Sequence, residues 1–166
     1  MATRLKNLSE GKTLQISAKG FRFAVVVSEY NDKITNALQE GVKLTLLQQD
    51  VQEKDIEIVT VPGSFEITKG AQYVAKYLEV DAIICLGCII RGGTPHFDYI
   101  CKSVTQGITE LNLQFQIPFI FGILTTNSYK QAKDRAGGKH GNKGDEAAMT
   151  AIKMVELKKK LSQSPA

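Results

Sequence analysis

The sequence predicts an α/β fold, a parallel sheet with helices packed on both faces. Short apolar, β-branched runs alternate with stretches whose apolar residues recur every three or four positions. The alternation is strict, β-α-β-α-β-α-β-α, and strands joined by helical crossovers run parallel. The strands also read as near-continuous apolar runs, the pattern of strands covered on both sides.

The elements follow in order. The first polar residues form an arm, and "FRFAVVVS" (21–28) is the first buried strand. "EYND" ends it, and Asn31 or Asp32 is placed to cap a helix. Ile34, Leu38, Val42 and Leu46 then fall on one helical stripe. "DIEIVTVPG" (55–63) is the second strand, stopped by Pro62-Gly63. Ile67, Ala71, Val74, Ala75 and Leu78 mark the second helix. "VDAIICLGCII" (80–90) is the third strand, followed by a helix with Phe97, Ile100, Cys101, Val104, Ile108 and Leu111 on its apolar face. "IPFIFGILTT" (117–126) is the fourth strand. "SYKQAKDRA" reads as a short helical piece, "GGKHGNKG" as a loop, and Ala148, Ala151, Ile152 and Val155 as the stripe of the last helix. One domain over 1–166 is expected, with an arm at 1–17 and a core at 18–160.

A chain of 166 residues can bury a sizeable single core. Its 21 basic and 17 acidic residues leave a net charge of +4. Lys153 and Lys158-Lys159-Lys160 cluster near the C-terminus and read as a solvated helix face, so no nucleic-acid or membrane partner is expected. No segment has the length and apolarity of a membrane span, and the N-terminus lacks a signal peptide's apolar core. Three cysteines do not make a secreted disulfide framework, and a cytoplasmic location is expected. Cys85 and Cys88 form a C-x-x-C inside a strand. No second ligand pair stands at zinc spacing, so they read as buried or pocket-lining small residues, and no metal is expected.

In parallel sheets of this kind ligands bind beyond the carboxyl ends of the strands. Those ends carry Glu29-Tyr30-Asn31, then Pro62-Gly63-Ser64-Phe65-Glu66, then Arg91-Gly92-Gly93-Thr94-Pro95-His96, then Thr125-Thr126 with Arg135 and Lys143 further on. All four ends are expected on one rim. Tyr30 and Phe65 offer ring faces to a planar ligand. Glu66 and the backbone after Gly63 can take its N–H or hydroxyl protons. Gly92-Gly93-Thr94 opens a helix, where free N–H groups attract a phosphate, and Arg135 adds a forked donor. His96, in the first turn, can move protons beside the anion. Taken singly, each of these is an ordinary packing residue, turn or surface histidine. Together they point to a planar, phosphate-bearing small molecule, without naming the reaction. The spacing matches neither a dinucleotide fingerprint nor a P-loop.

The blocks "YNDKIT", "VPGSFEI", "DAIICLGCIIRGGTPHFDYI", "PFIFGILTT" and "QAKDRAGGKHGNKGDEAA" stand in order between about residues 21 and 157. With them the chain resembles the 6,7-dimethyl-8-ribityllumazine synthase family. The resemblance implies a flavodoxin-like three-layer domain around a four-stranded parallel sheet. It implies condensation of 5-amino-6-(D-ribitylamino)uracil with 3,4-dihydroxy-2-butanone 4-phosphate to the lumazine, the penultimate step of riboflavin biosynthesis, without cofactor or metal. Carried over by position, Tyr30 stacks on the pyrimidine and Asn31 follows it. Gly63, Ser64, Phe65 and Glu66 belong to the segment that holds the ribityl chain and ring. Cys88, Ile89 and Ile90 meet the pyrimidine edge. Gly93 and Thr94 form the phosphate turn, His96 is the general base, and Arg135 acts on the phosphate. Phe121, Arg135 and Lys143 come from the adjacent subunit. A homopentamer is implied, with sixty-subunit shells and an association with riboflavin synthase as further partners.

Some positions depart from the family's commonest pattern: Tyr30 stands where Phe or Trp is usual, Glu29 where Arg is frequent, and Cys88 where Thr or another small residue is usual. Gly93 lacks a side chain often found there. The competing readings are an archaeal-type riboflavin synthase, a flavin-binding relative without catalysis, and a shell-forming scaffold.

Overall fold

The computed structural model describes residues 17–163. The expected arm at 1–17 lies outside the described residues except for its last position. β1 (Phe23–Ser28), α1 (Asp32–Gln48), β2 (Ile56–Val61), α2 (Ile67–Tyr77), β3 (Ala82–Ile90), α3 (His96–Gln114), β4 (Phe119–Thr126), α4 (Tyr129–Lys133), a hairpin of β5 (Ala136–Gly138) and β6 (Gly141–Asn142), and α5 (Lys143–Ser162) follow in order.

The main sheet has four parallel strands in the order β2-β1-β3-β4. Alternate residues of β1 enter two different cores. Phe23, Val25 and Val27 pack with Leu38, Val42 and Leu46 of α1 and Ile152 and Val155 of α5. Ala24 and Val26 pack with Ile67 and Val74 of α2 and Val104, Ile108 and Leu111 of α3. A strand between two helical layers can spare no polar side chain in its middle, which is why β3 is apolar throughout and β1 is apolar up to Ser28 at its end. Each fully buried Phe, Leu or Ile here contributes about 1.5–3 kcal/mol relative to exposure. This is a flavodoxin-like α/β/α arrangement.

Three sequence expectations need correction. β2 is not buried on both faces: Glu57, Ile58 and Thr60 are exposed, because β2 forms one edge of the sheet. The helical piece after β4 is only Tyr129–Lys133, closed at its start by Ser128 Oγ, which accepts from the Gln131 N–H. The loop "GGKHGNKG" is a tight antiparallel hairpin instead. Gly137 and Gly141 adopt left-handed backbone (φ 97° and 72°), the dihedrals glycine takes without steric cost, and Ala136 pairs with Asn142. Asn142 then caps α5. Its Oδ1 accepts from the Gly144 N–H at 2.8 Å, and its Nδ2 donates to the Ala37 carbonyl at 2.8 Å. That bond ties the hairpin to α1.

Candidate active site

The carboxyl ends of β1, β2 and β3 meet at one cavity of about 480 Å³. Backbone bonds sew the first two ends together: Glu29 N–H donates to the Val61 carbonyl and Tyr30 N–H to the Pro62 carbonyl, at 2.9 and 3.2 Å. Tyr30 and Phe65 stand at the mouth, 73% and 56% exposed, with their rings free to take a planar partner. Gly63 and Ser64 line the cavity with Glu66, and Cys88, Ile89 and Ile90 form the strand end facing them. His96 and Ile100, one turn apart on α3, complete the lining. A Cβ at Gly63 would lie 3.0 Å from Glu66 Oε2 and 3.4 Å from Tyr30 Cδ2. The glycine therefore lets a ring and a carboxylate crowd the same side of the cavity.

Asn31 does something the sequence reading did not assign it. It occupies the capping position before α1 in left-handed backbone (φ 61°), yet its side chain makes no cap bond. Its Nδ2 donates to the Cys88 carbonyl at 2.8 Å instead. The side chain thus bridges the ends of β1 and β3 across the cavity floor. The Asn31 amide serves a tertiary partner through its nitrogen, while its oxygen, the atom a cap would use, makes no cap bond.

The turn between β3 and α3 departs in detail from expectation. Helix α3 opens at His96 with Pro95 in the capping position, so Gly92-Gly93-Thr94 precede the helix rather than open it. Gly93 and Thr94 are exposed, beside the cavity rather than in its lining. Pro95 has no N–H, and its carbonyl already accepts from the Asp98 and Tyr99 N–H groups at 3.0 and 3.4 Å, so the N–H groups left for an anion are those of His96 and Phe97 in the first turn and of the residues just ahead of them.

Phe121, Arg135 and Lys143 line a second cavity, of about 570 Å³, along β4 at the other edge of the sheet. The expectation of one rim therefore holds for the first three strand ends and not for the groups beyond β4. The hairpin brings Arg135 and Lys143 together, with the Lys143 N–H donating to the Arg135 carbonyl at 2.8 Å. Arg135 Nη1 donates to the Gln131 carbonyl at 3.0 Å, and Lys143 Nζ donates to Glu146 Oε1 at 2.6 Å. Glu146 and Thr150 are lining residues the sequence reading missed, as is Ile100 in the first cavity. Helical spacing was the available signal: Ile100 lies four residues from His96, and Glu146 three from Lys143.

Burial pushes the Cys85 thiol up to about 12 and the Cys88 thiol up to about 11. Both are neutral near pH 7 and poor nucleophiles. They pack in opposite cores, as residues three apart in a strand must, and neither is in a disulfide. Cys88 therefore offers the cavity an uncharged wall. Among the described residues, no group of three His, Cys, Asp or Glu side chains could hold a metal ion, and no helix is long and apolar enough to cross a membrane.

The family model described as 6,7-dimethyl-8-ribityllumazine synthase matches residues 20–159. The chain belongs to that family. It is 55% identical to the 6,7-dimethyl-8-ribityllumazine synthase of Parabacteroides distasonis over 158 residues, 95% of this chain and 99% of the relative. It is 50% identical to the protein of the same name from Phocaeicola vulgatus, over 99% of this chain and 98% of the relative. The corresponding protein of Cytophaga hutchinsonii is 52% identical over 93% of this chain and 98% of its own length. The match spans the residues that line both cavities.

Proposed function

We propose that this enzyme condenses 5-amino-6-(D-ribitylamino)uracil with 3,4-dihydroxy-2-butanone 4-phosphate to give 6,7-dimethyl-8-ribityllumazine, phosphate and water. The observation that carries the reading is the first cavity. Two exposed rings flank it, a carboxylate and a neutral strand end face them, and a histidine stands where the glycine turn enters a helix. A planar pyrimidine fits between the rings, and its ribityl hydroxyls fit the Ser64–Glu66 side. The phosphate ester belongs at residues 92–94, where backbone N–H groups precede α3.

The residues act chiefly by positioning. The pyrimidine's amine is already a nucleophile, and holding it against the ketone supplies most of what the reaction needs. The amine adds to the carbonyl, and loss of water leaves an imine. His96 moves protons as the phosphate leaves, and the second amine closes the ring with loss of a further water. Arg135 stabilises the departing phosphate with charge-assisted donors. No cofactor enters any of these steps.

Arg135, Phe121 and Lys143 line a cavity at the far edge of the sheet from β2, apart from His96. This supports a shared site in which one subunit gives the Tyr30–His96 face and its neighbour gives the β4 face. A homopentamer closes such head-to-tail contacts into a ring. A single domain with a core at 18–160 then serves two sites at once, and rings of this kind can build larger shells. The free thiols suit a reducing, cytoplasmic setting.

The test mixes the purified protein with both substrates and follows lumazine absorbance and fluorescence against a protein-free control. Clear acceleration is expected. A correctly assembled protein that gives none refutes the reading and brings a flavin-binding role forward.

A further inference from the structure

Arg91 and Asp98 bracket the glycine turn. The Arg91 guanidinium donates twice to the Asp98 carboxylate, Nη1 to Oδ2 at 3.1 Å and Nη2 to Oδ1 at 2.7 Å. Its Nε donates to Asn127 Oδ1 at 3.2 Å, just past β4. Its Cζ lies 4.2 Å from the centroid of the Phe97 ring. The Arg91 N–H donates to the Thr126 carbonyl at 2.9 Å, which anchors the turn's first residue to β4. A guanidinium held by a two-point carboxylate contact, an amide oxygen and a ring face has little freedom left.

What lies between the two charges is loosely built otherwise. Residues 91–96 are exposed. A Cβ at Gly92 or Gly93 would meet no described atom within 4 Å, so no described side chain packs against the two glycines. Adjacent glycines also have more backbone freedom to lose than any other pair. The fork closes the ends of that freedom. Asp98 sits in the first turn of α3, where the helix dipole favours a carboxylate. The hydrogen bonds from Arg91 hold the Asp98 carboxyl below its usual range.

We propose that Arg91 and Asp98 are positioning residues, a fork that holds residues 92–95 in one shape and aims His96 into the cavity. Neither side chain lines that cavity. The proposal rests on the reading above, in which this turn receives the phosphate of the butanone substrate. The fork's effect reaches the phosphate through the backbone N–H groups it orders. It also joins the end of β3 to the segment after β4. Asn127 N–H donates to Gln131 Oε1 at 2.9 Å, and Arg135 donates to the Gln131 carbonyl. Contacts within one chain thus run from the turn on one cavity to the arginine on the other.

The test uses assembled Arg91→Ala, Arg91→Lys and Asp98→Ala variants and the Arg91→Ala/Asp98→Ala double variant. Two readouts are taken: steady-state kinetics with each substrate varied, and amide hydrogen exchange of residues 92–98 without substrate. Asp98→Ala is expected to raise KM for the butanone phosphate roughly three- to thirtyfold, since small misplacements of a binding group are costly, and to leave KM for the pyrimidine within about twofold. Arg91→Lys, which keeps the charge and loses the fork, is expected to follow Asp98→Ala. The double variant is expected to cost no more than the worse single one, because the pair acts as a unit. Exchange across the turn should quicken in each variant. An active wild type whose Asp98→Ala form keeps normal KM values, or whose turn exchanges at the wild-type rate, overturns the fork. A wild type that makes no lumazine overturns the synthase reading itself, and the positioning role with it.

Discussion

Gly87 lies in the middle of β3, directly under the site. A Cβ there would stand 2.8 Å from Ile67 Cδ1, 2.8 Å from Ser64 Oγ and 3.2 Å from Ile123 Cδ1. Gly87→Ala therefore forces three side chains to move. Ile67 is fully buried and Ile123 nearly so, and neither can swing into solvent. Overpacking of this kind costs roughly 1–3 kcal/mol. The struck atoms are the tips of side chains rather than backbone, which favours the lower half of that range. At about 2–4 °C per kcal/mol for a chain of this size, the midpoint should fall by roughly 2–8 °C. Ser64 Oγ is the atom with room to move, and it moves toward the cavity it lines. Hence KM for the ribitylaminouracil should rise, roughly three- to tenfold, while KM for the butanone phosphate stays near normal. Thermal unfolding at matched protein concentration and kinetics with each substrate varied check the two parts. A Gly87→Ala protein with an unchanged midpoint refutes the packing argument. A lowered midpoint with both KM values unchanged refutes the link from Gly87 through Ser64 to the pyrimidine.

His96→Ala should slow turnover roughly ten- to a thousandfold without abolishing it, at or below the roughly 10²- to 10⁴-fold worth of one acid–base group because positioning carries most of this reaction, and an unchanged kcat removes His96 from the mechanism. Arg135→Ala should be more damaging and should weaken the butanone phosphate in particular, which initial-rate kinetics with that substrate varied will show. Mixing the unfolded Arg135→Ala and His96→Ala proteins and refolding them together should restore part of the activity, because a shared site gains an intact pair in some interfaces. Recovery no greater than the sum of the separate proteins would place both residues in one chain's site. Alkaline pH should weaken the fold. The Cys85 and Cys88 thiols ionise at about 12 and about 11 when folded against 9.0 for an ordinary thiol. Below pH 9 both states keep their protons, and above it only the unfolded state sheds them. Stability is then lost as pH rises from about 9 through 11–12. Urea midpoints across that range should fall less steeply in a Cys85→Ala protein than in the wild type.

Much of the molecule is legible residue by residue. The stripe Ile34, Leu38, Val42, Leu46 is buried along α1, and the apolar run at 82–89 is buried along β3. Tyr30, Gly63 to Glu66, Cys88 to Ile90 and His96 do meet at one cavity, as strand ends of a parallel sheet must. The hairpin at 136–142 was harder to see. Its glycines signal turns without saying that two of them take positive φ and let the strands pair. Asn31 or Asp32 reads as a cap from the sequence; Asn31 does take the capping position and lines the cavity, but that its side-chain nitrogen reaches the Cys88 carbonyl depends on a neighbour in space.

From the sequence alone the alternation of strands and helices, the parallel sheet and the chemistry at its ends were determined. Each depends on periodicity or on what directly follows a run of apolar residues, and those are local properties of the chain. The tertiary structure decided the strand order β2-β1-β3-β4, and with it the exposure of β2. It decided that Arg135 and Lys143 face a different cavity from His96. It also decided that Arg91 closes on Asp98 and Asn127. Those facts depend on which distant segments become neighbours. Backbone pairing uses the same N–H and C=O groups in every strand, so the choice among neighbours is made by the packed whole.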